Sequence, residues 1–285
     1  MTNNDLLEAF ADYQRAGNRA KRTIGTRASI LRAFAKRQNT TLLEATVFHL
    51  RKEIGREETA PSTKATTRAT FIAFYTFLHV EEIRQDNPSL KLPVVKVPPH
   101  RPRPYTQEQI DRLLSSGAYK RTRAMILLAT YQGLRASEIA AVHADDIDTH
   151  AGTLKVLGKG GRLDYLPLHE TIRELAPSMN AGWWFPARGG RDGHIKGQSV
   201  SDLLTDARAR AGITDKQLTG HSLRHSFGTE LVRGGANIRA VQELMRHSSL
   251  QTTQRYTQVL DEDRRQALDV LQGRTIPKRS GRKAA

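Results

Sequence analysis

Six of the eleven prolines in this chain crowd into one stretch, at Pro88, Pro93, Pro98, Pro99, Pro102 and Pro104. Proline fixes φ and takes away a backbone donor, so the stretch reads as an extended, semi-rigid linker. Lys91, Lys96, Arg101 and Arg103 make it basic. The boundary gives a helical domain at 1–87, the linker at 88–104, a second domain at 105–272 and a basic tail at 273–285. With 285 residues in all, each half is long enough to bury its own core.

Before the linker the apolar spacing is helical. Leu6, Leu7, Phe10 and Tyr13 mark one face, Ile30, Leu31 and Phe34 a second, and Phe71, Phe74, Tyr75 and Leu78 a third. A further segment near Leu42 to Ile54 completes an expected bundle of about four helices. After the linker, Thr106 stands as an N-cap before Glu108, Ile110, Leu113 and Leu114. A second helix is expected over roughly Arg121 to Tyr131, stopped by Gly133. Thr153–Leu157 and Leu163–Pro167 flank Gly158-Lys159-Gly160-Gly161, the pattern of a β-hairpin with a lysine in its turn. From Ser199 the pattern is helical again, broken at Gly212, Gly220 and Gly234-Gly235.

Charge points to a partner. Lys plus Arg number 45 and Asp plus Glu 29, for a formal charge of +16. Clustered cations gain free energy by displacing the counterions condensed on a phosphate backbone, so nucleic acid is the expected ligand. No acidic residue occurs between Tyr13 and Leu43, while Arg15, Arg19, Lys21, Arg22, Arg27, Arg32, Lys36 and Arg37 all do. Unless it faced a polyanion such a run would repel itself, and with Arg101 and Arg103 it is assigned to DNA contact.

The absence of cysteine excludes disulfides, thiolate metal sites and thiol nucleophiles, and suits a reducing compartment. The longest apolar run, Ala124 to Ala129, is far short of a bilayer span, and Met1 to Asp5 lacks the pattern of a secretion signal. The expected location is the cytoplasm, at the nucleoid, with no membrane partner.

Four local patterns follow one another: Gly133-Leu134-Arg135-Ala136-Ser137-Glu138, Gly158-Lys159-Gly160, His221-Ser222-Leu223-Arg224-His225, and His247-Ser248-Ser249 with Tyr256 nine residues on. Together they suit phosphoryl transfer. Arg135 and Arg224 supply planar forks for non-bridging oxygens, His221 and His247 add donors, and Lys159 can deliver a proton. Tyr256 is the nucleophile, a phenol that cationic surroundings must activate and whose phosphate ester can then be reversed. His221 and His225 are four apart, as zinc ligands on a helix would be. Arg224 lies between them with no Glu and no Cys to complete a set, so no metal is expected. His225 is read as a packing residue and Glu138 as an ion-pair partner.

From about Asp5 to Leu271 these residues resemble the tyrosine recombinase family, the phage integrases and Xer-type recombinases that cut and rejoin DNA. The resemblance implies a mainly α fold with a small β-sheet. It would comprise an N-terminal helical core-binding (SAM-like) domain and a mixed α/β catalytic domain, clamped on DNA. It implies that Arg135 and Arg224 hold the scissile phosphate, Lys159 protonates the 5′ leaving oxygen and His221 assists as acid and base. His247 would bond a phosphoryl oxygen, and Tyr256 would form a 3′-phosphotyrosine link. It further implies double-stranded attachment sites, a homo-tetramer exchanging strands through a Holliday junction, and no cofactor, metal or ATP.

The bundle begins almost at Met1, as in the short integrases without an arm-binding domain; the short basic tail, the tag-like C-terminus and the imperfect match to Xer motifs make a temperate phage integrase the leading expectation. An Xer-type resolvase, a type IB topoisomerase and a DNA-binding regulator without chemistry are the alternatives. An accessory DNA-bending or excision factor is a further implied partner. The segment with Val259, Leu260, Ala267, Leu268 and Leu271 reads as an amphipathic helix docking on a neighbouring protomer or back on its own. Ala284-Ala285 resembles the end of a degradation tag read by a Clp-type protease. Two positions depart from the family pattern. Arg246 stands where glycine is usual, so the helix end there is expected to be shaped differently, and His143 replaces a frequent tryptophan.

Overall fold

The computed structural model describes residues 1–98, 103–158, 161–187, 189 and 192–246. The chain divides into two units, Met1–His100 and Arg101–Ala285, a division that falls inside the proline-rich stretch. Arg101, the segment from Val259 to Leu271 and the tail lie outside the described residues. Among those described, no helix is long and apolar enough to cross a membrane.

The first unit is built from α1 (Asn3–Ala16), α2 (Lys21–Gln38), α3 (Val47–Ile54) and α4 (Pro61–Val80). Thr2 and Asp5 close a reciprocal capping box that starts α1, and Pro61 opens α4 at the one position where its missing N–H costs nothing. The predicted apolar faces meet in one core, where the Phe10 and Phe74 rings stand edge to face at 5.3 Å and those of Phe34 and Phe71 at 4.8 Å. Tyr13 and Ile30 are the exceptions: Tyr13 is 44% exposed, with Gln14 taking the buried position and donating back to the Phe10 carbonyl, and Ile30 is only part-buried and outside the core.

Two expectations fail in this unit. Leu42–Thr46 is a turn, and α3 begins only at Val47. The carbonyls a helix would use internally go elsewhere: that of Leu42 accepts from the Tyr75 hydroxyl at 3.0 Å, and those of Leu43 and Ala45 accept from Arg84 Nη1 at 2.7 and 2.8 Å. The stretch 88–104 is not extended throughout either. Pro88–Lys91 forms a 3-10 turn capped by Asn87, and Pro88, Ser89 and Leu92 are buried against the bundle.

A buried carboxylate ties α2 to α3. The Glu53 side chain is 4% exposed and accepts from Arg37 Nη2 at 2.5 Å and Gln38 Nε2 at 3.1 Å, with Arg56 at 3.4 Å. Burial pushes its carboxyl up, but the bonds from Arg37 and Gln38 and the charges of Arg37 and Arg56 outweigh that and hold it below the ordinary value. Glu53→Ala is expected to cost about 1–2 kcal/mol at pH 7, because the bonds from Arg37 and Gln38 are lost while the partly exposed cations keep their water. A folded pKa below the unfolded one stabilises above the unfolded pKa of about 4.3, and that contribution is lost as pH falls through the folded value. The deficit of the variant should therefore shrink in acid, read by hydrogen exchange of α2 and α3 at pH 7 and below pH 4.

The second unit opens with α5 (Gln107–Ser115), capped by Thr106 as predicted, and α6 (Lys120–Tyr131). From Ala124 to Thr130 every residue of α6 is buried, which makes it the central helix of this core. A short α7 (Ala136–Ala140) follows, then an antiparallel sheet in the order β1 (Ile147–Asp148), β2 (Thr153–Leu157) and β3 (Leu163–Pro167). The β2–β3 hairpin occupies the residues predicted for it, pairing Thr153 with Pro167 and Leu157 with Leu163. β1, only two residues long, carried no sequence signal. Helices α8 (Glu170–Leu175), α9 (Gly197–Arg210), α10 (Gly220–Arg233) and α11 (Ile238–Leu244) complete the described part, and Trp184 and Phe185 join the core from the loop before α9. The architecture is mainly helical with a small sheet.

Candidate active site and nucleic-acid interface

The site is built on the turn that ends α6. Leu134 N–H bonds back to the Leu128 carbonyl while Gly133 takes φ +61°, a left-handed helix stop. The turn must be glycine for a second reason: a Cβ on Gly133 would lie 2.5 Å from Phe227 Cδ1 of α10. Gly133→Ala is expected to destabilise this unit by about 2–4 kcal/mol through strain and overpacking together. Thermal unfolding checks this, and trimming the ring in a Gly133→Ala/Phe227→Leu pair should restore part of the loss.

Directly after the turn, Arg135 caps α7. Its backbone N–H donates to Glu138 Oε2 at 2.7 Å and its Nη1 to Glu138 Oε1 at 2.7 Å, so carboxylate and guanidinium fix each other within one helical turn. Arg224, on α10, is 1% exposed, and its guanidinium donates to the carbonyls of Gly133 and Met245. Its Nη1 stands 4.0 Å from Glu138 Oε2. The segment that follows the proline stretch is pinned to the same helix: Tyr105 N–H donates to Ser226 Oγ at 2.8 Å, and burial pushes the Tyr105 phenol up to about 12. His221 sits in the exposed first turn of α10, where its N–H donates to the Thr219 cap. Arg135, His221 and Arg224 line one cavity of about 320 Å³, with Asp202 and Thr205 of α9 on the facing wall.

Arg246 closes the cluster. It follows α11 with φ +50°, in the left-handed region that glycine favours, so the chain takes a left-handed turn there with a Cβ in place of glycine. For a residue with a Cβ this backbone costs about 1–2 kcal/mol. Its side chain is 5% exposed and donates from Nη2 to Glu138 Oε2 at 2.6 Å, and its carbonyl accepts from Arg135 Nη2 at 3.1 Å. Burial holds the Arg246 guanidinium below its ordinary value, a fall that the charge and hydrogen bond of Glu138 offset only in part. Burial likewise pushes Glu138 up, but Arg246 and the two bonds from Arg135 outweigh it, so its carboxyl lies below the ordinary value. One buried carboxylate thus stands among three guanidinium groups, which leaves the cavity positive and suited to an anion.

Of the other assigned residues, Lys159, His247 and Tyr256 lie outside the described residues. The His225 ring meets that of His221 edge to face at 4.5 Å. Among the described residues no group of three or more His, Asp or Glu could hold a metal ion. His143 packs edge to face against Trp183 at 4.8 Å, so an indole reaches this position from another part of the chain. Sequence reading missed the role of Arg246, taking it for a lost cap. Its one signal was a cation directly before His247.

In the first unit the basic run is less uniform than its sequence. Asp12 pairs with Arg15, Glu53 with Arg37, and Arg27 donates to Gln14 Oε1 at 2.9 Å. The fold therefore supplies from outside the run acids that the run lacks. Arg19, Lys21, Arg22, Arg32 and Lys36 are exposed and make no ion pair among the described residues. In the second unit Arg103 stands 3.8 Å from Asp215, with both half exposed.

Comparison with known proteins places this architecture. The profile of the phage integrase family matches residues 104–263. The chain is 31% identical over 279 residues to the tyrosine recombinase XerD of Caulobacter vibrioides, covering 90% of this chain and 91% of that one. It is 35% identical to the solved integrase of mycobacterium phage Brujita, with 92% and 90% of the two chains covered and a TM-score of 0.50. A lambda integrase dimer bound to a COC′ core site shares the fold at TM-score 0.73 and 17% identity, over 88% of this chain and 96% of that one. A match running from the end of the proline stretch past Tyr256, with relatives that align along nearly the whole length, leaves no second assignment: the chain belongs to the phage integrase family and is a site-specific tyrosine recombinase of the integrase and Xer type.

Proposed function

We propose that this recombinase is a temperate phage integrase that joins double-stranded DNA at paired attachment sites. The observation that carries the reading is the single cavity onto which Arg135, His221 and Arg224 converge. In the proposed reaction the Tyr256 phenolate attacks the scissile phosphorus, the bond to the 5′ oxygen breaks, and a 3′-phosphotyrosine forms. The phenol's proton leaves through His221, and Lys159 protonates the departing 5′ oxygen. Arg135 and Arg224 hold the non-bridging oxygens with His247 as a further donor, stabilising the charge that develops there. The phosphoester energy is kept in the tyrosyl link, so a 5′ hydroxyl from another strand can reverse the step without ATP.

Exposed cations on α2 and the α1–α2 turn, with Arg101 and Arg103, are the proposed phosphate contacts of the core-site DNA. The bundle at 1–87 would be the core-binding domain and 105–272 the catalytic domain, joined by 88–104. Four copies on two sites, an accessory bending or excision factor, a cytoplasmic location and turnover by a Clp-type protease through Ala284-Ala285 belong to the same proposal. The XerD relatives favour one second reading, a chromosomal resolvase, which would depend on a different recombinase subunit.

The test is covalent trapping. The full chain in EDTA is incubated with labelled nicked duplexes tiling the DNA beside its gene and run on denaturing gels. A metal-independent adduct on one tile supports the reading and maps the cut. An adduct that forms only with a second recombinase present supports the resolvase. Salt-sensitive binding to the tiles with no adduct in either case overturns catalysis in favour of a regulator.

A further inference from the structure

We infer that Arg246 is a positioning residue of the active site: its guanidinium neutralises Glu138, so that the charge of Arg135 and Arg224 remains available to the scissile phosphate. The inference rests on the proposed reaction. Glu138 is indispensable to the local fold, because it accepts both the backbone N–H and the Nη1 of Arg135. Yet a buried carboxylate so close to both arginines also works against them, since its charge opposes that of the phosphate they must hold. Its Oε2 lies 2.6 Å from Arg246 Nη2 and 4.0 Å from Arg224 Nη1. With Arg246 present, Glu138 has a cation of its own. Without it, among the described residues only Arg135 and Arg224 balance the carboxylate, and the loss is felt most as negative charge builds up in the transition state.

The same residue acts a second time through its backbone. The turn at Arg246 aims two successive carbonyls at the two arginines, that of Met245 at Arg224 Nη2 and its own at Arg135 Nη2. Glycine adopts this turn without strain, so Arg246→Gly removes the charge and keeps the carbonyls. The two roles can therefore be separated by one substitution.

The experiment compares wild type, Arg246→Gly and Arg246→Lys by two readouts on the full chain: single-turnover cleavage of the nicked duplex, and the apparent affinity for inorganic phosphate from its effect on thermal unfolding without DNA. Arg246→Gly is expected to bind DNA as tightly as wild type, to unfold earlier because Glu138 loses a buried partner while the relieved backbone strain offsets only part of that loss, to cleave about tenfold more slowly when folded and to bind phosphate several-fold more weakly. Arg246→Lys, which restores the charge, should return both readouts to within about threefold of wild type. A merely structural role would lower the unfolding temperature but leave cleavage and phosphate affinity at wild-type values in the folded protein, measured well below the transition. Wild-type cleavage and phosphate affinity in Arg246→Gly overturn the inference. If wild type forms no adduct on any duplex, the proposed reaction fails, and the phosphate readout alone still decides whether Arg246 frees the two arginines. If the glycine variant does not fold, Arg246→Asn, neutral and tolerant of the same turn, takes its place.

Discussion

Replacing Tyr256 by phenylalanine should abolish covalent attachment of the protein to DNA, by a factor of at least about 10⁴, and leave DNA affinity within about twofold of wild type. The nucleophile is the one group of the reaction that nothing nearby can replace, whereas affinity comes from many cations on phosphates, to which one hydroxyl adds little. Six other tyrosines could in principle serve, so the argument depends on their surroundings. Tyr75 is fully buried, its hydroxyl is committed to the Leu42 carbonyl, and burial pushes its phenol well up. Tyr105 is buried with its phenol pushed up to about 12. Neither reaches DNA and neither ionises readily. Tyr119 and Tyr165 are exposed but absent from the lining of the cavity that Arg135 and Arg224 share. Tyr165→Phe is therefore the control that should cleave like wild type. An adduct that persists in Tyr256→Phe and disappears in Tyr165→Phe would move the nucleophile onto the β-hairpin.

Local features of this chain were legible because their causes are local. The β2–β3 hairpin follows from the residues on either side of a glycine-rich turn, and α6 from an apolar run too short for a membrane, carried on to Tyr131 and stopped by Gly133. The family could be read from six residues of four types in a fixed order, since phosphoryl transfer uses those types wherever the fold places them.

What escaped the sequence depends on partners far along the chain. Leu42–Thr46 looks helical until its carbonyls are seen to be taken by Tyr75 and Arg84, more than thirty residues away. The basic run looks unbalanced until Glu53 is folded onto Arg37. Arg246 looks like a missing glycine, but it takes a left-handed turn itself and its side chain meets a carboxylate 108 positions earlier. In each case the residue's own neighbourhood in sequence points one way, and a tertiary partner decides.

The second large effect is expected at Arg224, and lysine is the informative substitution. The arginine fork donates to the carbonyls of Gly133 and Met245 and so joins the end of α6 to the end of α11. Arg224→Ala would leave both carbonyls without this donor and take one cation from Glu138, a buried imbalance that costs about 3–5 kcal/mol and confounds any loss of activity with loss of fold. Arg224→Lys keeps the charge beside Glu138 and can still reach one carbonyl. A single ammonium cannot span two carbonyls and also present a planar pair of donors to phosphate oxygens. The expected result is a fall in single-turnover cleavage of about 10³-fold, the scale seen when one donor to a developing oxyanion is removed, with a thermal midpoint within a few degrees of wild type. Single-turnover kinetics on a nicked duplex, read beside thermal unfolding, separates the two. If Arg224→Lys cleaves within tenfold of wild type, the fork geometry is not what the phosphate recognises, and Arg224 serves the reaction by its charge alone.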